Sequence, residues 1–223
     1  MTVDLRTDLR LVVFDVDGTL VDSQHDIVAS MRAAFEVLGR PAPDRETMLS
    51  VVGLSLPQAM AILAPGLTEA ELTGLVEGYR ASWGGGRAAS PLFPGALAVL
   101  DALAAQDELL LAVATGKSRR GLEKLLTAHE LRKRFVSLQV ADDHPSKPHP
   151  SMLMAALAET GVEAHRAVMV GDTEFDMQMG RAAGLATIGV TWGYHPRARL
   201  QDADLLIDDF AQLEDALERI WRG

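Results

Sequence analysis

The chain contains no cysteine, so neither disulfides nor thiolate chemistry can enter its function. No apolar run approaches the roughly 18 residues that a membrane-spanning helix needs. The first residues are polar and charged (Asp4, Arg6, Asp8, Arg10), unlike a signal peptide. The expectation is a cytoplasmic protein without a membrane partner. Basic residues are in deficit: 21 Lys and Arg stand against 31 Asp and Glu, a net charge of −10 that argues against nucleic acid as a partner. A chain this acidic can hold phosphate only with local positive charge, from a metal, a lysine or backbone amides. Aromatic residues are also scarce. Trp83, Trp192 and Trp221 are too dispersed to suggest a stacking platform.

What is present is concentrated at the ends of short apolar runs. Leu11-Val12-Val13-Phe14 reads as a buried strand, followed by Asp15-Val16-Asp17-Gly18-Thr19. Residues two apart on a strand point to one face, so Asp15 and Asp17 would look into the same pocket. Gly18 permits a sharp exit and Thr19 adds a hydroxyl. A calcium loop starting at Asp15 would need Gly at its sixth position and Glu at its twelfth, where the chain has Leu20 and Asp26. That alternative is poor. Thr115-Gly116-Lys117-Ser118 follows the run Leu109 to Ala114, and Ser146-Lys147-Pro148 sits in a loop. Gly171-Asp172-Thr173-Glu174-Phe175-Asp176 follows Ala167 to Val170. A nucleophilic carboxylate, a hydroxyl beside free amides, a cation and a second acidic cluster are the parts of metal-assisted phosphoryl transfer.

Two textures divide the chain. Residues 21–86 read as helices only. One runs from Ser23 as cap to about Leu38, and one from Asp44 to about Val52. A third starts at Ser55 and Pro57, and a fourth runs from the Thr68–Glu71 capping box through Trp83. Gly84-Gly85-Gly86 then forms a link. From Pro94 onward helices and strands alternate. The strands are expected at Leu109–Ala114, Phe135–Val140, Ala167–Val170, Ala186–Val190 and Ala203–Ile207, and the last helix at Phe210–Trp221. Such alternation means parallel pairing with crossover helices. The expected fold is α/β: a doubly wound, Rossmann-like parallel sheet from residues 1–20 and 87–223, interrupted by an all-helical insertion at 21–86.

The four segments, in this order and each after an apolar run, resemble the haloacid dehalogenase superfamily of phosphohydrolases. Asp15 to Thr19 is similar to its first motif, Thr115 to its second, Lys147 to its third and Gly171 to Asp176 to its fourth. Pro94-Gly95 ahead of the helix Ala96–Ala105 looks like the phosphoglycolate phosphatase-like branch.

The resemblance implies magnesium-dependent hydrolysis of a small phosphorylated metabolite through an aspartyl-phosphate. Asp15 would be the nucleophile and Asp17 the general acid and base. Thr115, Gly116 and Lys147 would bind the phosphate. Magnesium would be held by Asp15, Asp172 and the backbone carbonyl of Asp17. Asp176 would act through water or orient Lys147. Asp172 could equally be a helix cap. The insertion would be a cap over the pocket, with Gly53, Leu54 and Ser55 as its specificity loop; Arg80 and Arg87 are candidates for a substrate carboxylate. Dehalogenase members lack a carboxylate at the Asp17 position, which favours phosphoryl transfer here. A β-phosphoglucomutase-like transferase, an inorganic pyrophosphatase and a non-catalytic phosphate-binding member are the alternatives. Phosphonate hydrolysis would need a cap lysine, and residues 21–86 contain none. His144 and His149 are read as surface or capping residues, Arg119 and Arg120 as solvent-facing. The assembly is expected to be a monomer or homodimer.

Overall fold

The computed structural model describes residues 9–83 and 89–222. Asp4, Arg6 and Asp8, the Gly84–Gly86 link, Arg87 and the boundary at residues 86/87 lie outside the described residues. Six strands form one parallel sheet: β1 (Arg10–Phe14), β2 (Leu109–Thr115), β3 (Ser137–Val140), β4 (Ala167–Gly171), β5 (Ala186–Val190) and β6 (Leu205–Ile207). Their order is β3-β2-β1-β4-β5-β6. Phe14 of β1 lies level with Val113 and Val170. The chain winds outward from β1 in one direction and then restarts at β4 in the other. The crevice at that reversal, at the carboxyl ends of the strands, is where open α/β sheets bind ligands.

The helices are α1 (Gln24–Val37), α2 (Arg45–Leu49), α3 (Leu56–Leu63), α4 (Glu69–Ser82), α5 (Ala96–Ala104), α6 (Arg119–Ala128), α7 (Ser151–Thr160), α8 (Glu174–Ala183) and α9 (Leu213–Arg222). Both sheet faces are covered, which is why the strands read as unbroken apolar runs. Val12, Phe14, Val113 and Val170 pack with side chains of α5, α6 and α9. Leu11, Val13, Ala112 and Met169 pack on the other face with α7 and α8. Helices α1 to α4 enclose a cluster of their own, including Met31, Phe35, Met48, Met60 and Leu75. Gly78 of α4 lies against Ala34 of α1, where a Cβ would come within 3.3 Å of the Ala34 Cα. Among the described residues, no helix is long and apolar enough to cross a membrane.

Local boundaries differ from the sequence expectation for identifiable reasons. Ser23 stands at the start of α1 but makes no side-chain cap, because its hydroxyl is used at Asp17. Helix α2 ends at Leu49 rather than near Val52, since the chain turns toward Gly53 at φ +101. Phe210–Gln212 forms a separate 3₁₀ turn ahead of α9, tightened by the Asp209 side chain accepting from the Ala211 N–H at 2.7 Å.

Leu75 is fully buried in the helical cluster. Leu75→Ala should lower unfolding free energy by about 2–5 kcal/mol, the usual cost of a buried leucine truncation. Urea denaturation checks this; a loss under ~1 kcal/mol would mean that the cluster does not pack as described.

Candidate active site

The site is built from three strand ends and one loop. Asp15 follows β1, and its backbone N–H donates to the Val170 carbonyl at 2.9 Å, which ties the turn to β4. The Val16 carbonyl then accepts from Leu20 and Val21, at 2.9 and 3.0 Å, closing a tight loop. Gly18 sits in that loop at φ +88, and a Cβ there would overlap the Asp172 carboxylate. Only glycine meets both conditions. Asp15 and Asp17 line the same cavity between the sheet and α1 to α4, Asp15 at 1% exposure and Asp17 at 9%.

Lys147 is the centre of the buried half. It is 0% exposed, and its Nζ lies 2.9 Å from Asp15 Oδ1 and 2.6 Å from Asp176 Oδ1. Asp176 is positioned by the capping box of α8: its Oδ2 accepts from the Thr173 hydroxyl at 2.6 Å and the Thr173 N–H at 3.1 Å. Asp176 thus pairs directly with Lys147. Asp172 accepts from the Thr19 hydroxyl at 3.0 Å and from the Tyr194 N–H at 2.8 Å. It does not cap α8; Thr173 does.

The other half centres on Asp17. Its Oδ1 accepts from the Ser23 hydroxyl at 2.5 Å, and its Oδ2 lies 2.9 Å from Lys117 Nζ. Lys117 in turn lies over the ring of Trp83 at 4.7 Å, and Trp83 stacks on Tyr79 at 5.6 Å. Thr115 ends β2 and is 1% exposed; its hydroxyl accepts from the Lys117 N–H at 3.2 Å. Gly116 touches the loop of the helical insertion, and a Cβ there would overlap the carbonyls of Gly53 and Leu54. The Ser55 N–H donates to Ser146 Oγ at 2.7 Å, beside Lys147. Gly53, Leu54 and Ser55 thus reach the site and line a cavity of about 620 Å³ together with Asp15, Asp17 and Thr115.

Ser23, Lys117, Tyr194 and Trp83 join the site beyond the residues that the motifs single out. Ser23 and Lys117 lie in or beside motif segments, so proximity along the chain is an available signal. Tyr194 carries none. Arg120 is exposed as expected. Arg119 is not simply solvent-facing: its guanidinium donates to the Leu138 carbonyl at 3.0 Å and to Asp143 at 2.6 Å. His144 links Gln139 to Ser151, at 2.8 Å to each, and so is engaged as a structural residue.

Electrostatics indicate what the buried half could hold. Carboxylate oxygens of Asp15, Asp172 and Asp176 lie within 4.8 Å of one another. Three carboxylates face the single ammonium of Lys147, and among the described residues Asp15 Oδ2 is buried without a hydrogen-bond partner. Burial pushes the Asp15 carboxyl up to about 7, with Asp176 and Asp17 adding to the shift and Lys147 opposing it. Burial, then Asp15 and Asp176, push Asp172 well above the carboxylate range. Burial alone would depress Lys147, but Asp15 and Asp176 outweigh it and hold the ammonium charged. Two uncompensated negative charges and an all-oxygen donor set suit a hard divalent cation such as magnesium. These residues fit that group.

A family model described as haloacid dehalogenase-like hydrolase matches residues 12–190. The chain is 37% identical over 214 residues to "Probable phosphatase IndB" of Dickeya dadantii, covering 92% of each protein. It is 30% identical over 221 residues to the phosphoglycolate phosphatase of Haemophilus influenzae, covering 94% of this chain and 98% of that one. Among solved structures, a predicted phosphoglycolate phosphatase from Haemophilus somnus superposes with a TM-score of 0.84 at 27% identity, covering 94% of this chain and 98% of that one.

The carboxyl shifts give a pH-dependent metal response. Asp15 rises in the folded chain from an ordinary 3.8 to about 7, so the folded state holds its proton more tightly than the unfolded state does. Without metal, that group's penalty grows as pH rises from about 4 to about 7, and Asp172 acts in the same direction. A cation competes with those protons and relieves the repulsion once they leave. Magnesium should therefore raise the melting temperature more at pH 8 than at pH 5.5, by differential scanning fluorimetry. An equal or larger increment at pH 5.5 would remove these carboxylates as ligands.

Proposed function

This chain belongs to the haloacid dehalogenase-like hydrolases, and on that premise we propose that it is a phosphatase hydrolysing small phosphomonoesters of the phosphoglycolate kind through a phosphorylated Asp15. The observation that carries the reading is the Asp15 carboxylate. One oxygen is fixed by a buried lysine and the other is buried without a partner, beside a cavity floored by Thr115. The named activities of the relatives support the same class.

In the first half-reaction an Asp15 oxygen bonds to phosphorus and the ester P–O bond breaks. Asp17, protonated for this step, gives its proton to the leaving alkoxide. In the second, the Asp17 carboxylate takes a proton from water, whose oxygen attacks phosphorus. The bond to Asp15 breaks, and inorganic phosphate leaves. Ser23 and Lys117 each hold one oxygen of Asp17 and so fix the direction of its carboxyl group for both proton transfers. Lys147 faces the transferred group through Asp15 and stabilises charge on its oxygens, as the Thr115 hydroxyl and the Gly116 amide do. Asp15 and Asp172, with the backbone carbonyl of Asp17, would hold magnesium, and Asp176 completes the carboxylate cluster. The bound ion would supply charge neutralisation that lets an anionic ester approach Asp15.

Asp15→Asn should reduce turnover of p-nitrophenyl phosphate by more than about a hundredfold while leaving the circular dichroism spectrum unchanged, because a covalent step is lost in a near-isosteric change. Retention of more than a hundredth of the rate would displace Asp15 as nucleophile.

Asp17→Asn should act unequally on the two half-reactions. The p-nitrophenolate leaving group needs little protonation, so phosphorylation of Asp15 is partly spared. Hydrolysis of the intermediate still needs a base. Single-turnover labelling should show phosphoenzyme accumulating in this variant with p-nitrophenyl phosphate but not with phosphoglycolate. Wild-type intermediate levels with both substrates would assign Asp17 another role.

A further inference from the structure

The cavity is larger and more basic than a two-carbon phosphate ester requires. It measures about 620 Å³, within the range that holds drug-sized ligands. Its lining includes Asp15, Asp17, Thr115 and Gly116. Its wall toward the helical insertion is apolar, with Ile27, Met31, Val52, Leu54 and Trp83 among the lining. The remaining rim presents Arg80 from the last turn of α4, and Arg120 and Lys124 from successive turns of α6.

These three cations are placed differently from most others in the protein. Arg40, Arg119, Arg134, Arg181, Arg197 and Arg199 each hold a carboxylate. Among the described residues, Arg80, Arg120 and Lys124 hold none. The other charged groups at the cavity are already engaged. Lys117 is paired with Asp17. Asp142 accepts from the Arg119 N–H at 2.8 Å, and His144 bonds Gln139 and Ser151. Three uncommitted cations around one cavity, in a chain with a net charge of −10, form a local anion receptor separate from the phosphoryl-handling residues. The phosphoryl group is already met by Lys147, Thr115 and Gly116.

We propose that the substrate carries a second anionic group, a carboxylate or another phosphate, on an alcohol longer than two carbons, and that Arg80, Arg120 and Lys124 receive it at the cavity rim. The apolar wall then covers the carbon skeleton between the two charges. This rests on the phosphatase chemistry proposed above and departs from its two-carbon substrate in favour of a longer one. Arginine pairs with carboxylate or phosphate through two parallel hydrogen bonds, so either anion satisfies the geometry.

The test separates charge from size. Wild-type kcat/KM is measured for glucose 6-phosphate (long, no second anion), 6-phosphogluconate (long, carboxylate), fructose 1,6-bisphosphate (long, second phosphate) and phosphoglycolate (short, carboxylate). At least one long dianionic ester should exceed both glucose 6-phosphate and phosphoglycolate by about tenfold or more, the scale of one charge-assisted contact. Which of the two wins identifies the anion. In the Arg80→Ala/Arg120→Ala double variant, the ratio of that ester to glucose 6-phosphate should fall to within about twofold. A wild-type preference for glucose 6-phosphate or phosphoglycolate, or an unchanged ratio in the double variant, overturns the proposal. Binding to Asp15→Asn protein by calorimetry keeps the two readings apart. If the wild type hydrolyses no ester, p-nitrophenyl phosphate included, yet Asp15→Asn binds a long dianionic ester tenfold tighter than glucose 6-phosphate, the phosphatase reading fails and the anion receptor stands. Equal binding of all four esters overturns the receptor.

Discussion

Lys147 is fully buried, and its ammonium bridges Asp15 after β1 and Asp176 in the first turn of α8. A charge taken out of water is tolerated only when its partners come with it. The loop that carries Lys147, the turn after β1 and the start of α8 are therefore constrained together. Removing one partner from such a set typically costs ~3–5 kcal/mol, because the others are left buried and uncompensated. The same constraint creates the chemistry. Lysine alone cannot balance three neighbouring carboxylates, so the cluster has a standing demand for a cation. Asp15 also keeps one oxygen without a partner because Lys147 engages the other.

Around that centre, short contacts join the sheet to α1 to α4. The Ser55 N–H donates to Ser146 next to Lys147. His195 accepts from the Glu174 N–H at 3.3 Å on one ring nitrogen and donates to the Ser50 carbonyl at 3.0 Å with the other. Burial, then Arg199, lower the pKa of His195, which suits a neutral ring in both roles. Tyr194 ties Asp172 to the start of α1: its N–H donates to the carboxylate, and its hydroxyl accepts from the Ser23 N–H at 2.9 Å. The phosphoryl-handling atoms thus sit on strand ends, while the cavity wall that meets the rest of a substrate comes from a separately packed helical cluster.

Much of this was legible in the sequence, and the exceptions follow a rule. Strands were readable because a sheet covered on both faces selects unbroken apolar runs, and β1, β2, β4 and β5 fall close to where those runs lie. Thr68 and Glu71 make the capping box that their spacing announced. Direction was not readable. Ser23 has the position of a cap, yet its hydroxyl points back at Asp17; Lys117 stands two residues past β2, yet its ammonium returns to the same carboxylate. Lys147 in isolation resembles any solvated loop lysine, and only its order among the motifs distinguished it. Tyr194 lies 22 residues beyond Asp172 and reaches it only because β5 returns the chain to the same sheet edge. Sequence position says which residues can meet; the side chains' directions come from packing.

The three indole rings occupy distinct environments. Trp192 packs on Phe210 with ring centroids 4.6 Å apart, and Trp221 lies under the Arg10 guanidinium at 4.8 Å. Both report on the sheet's surroundings. Trp83 alone stands at the seam between the helical cluster and the sheet, with an ammonium over its face and Tyr79 stacked on it. The molecule thus carries an intrinsic optical probe at its seam. Any event that separates Trp83 from Lys117 alters the electrostatic field on that chromophore, and its emission follows while the other two rings serve as internal references.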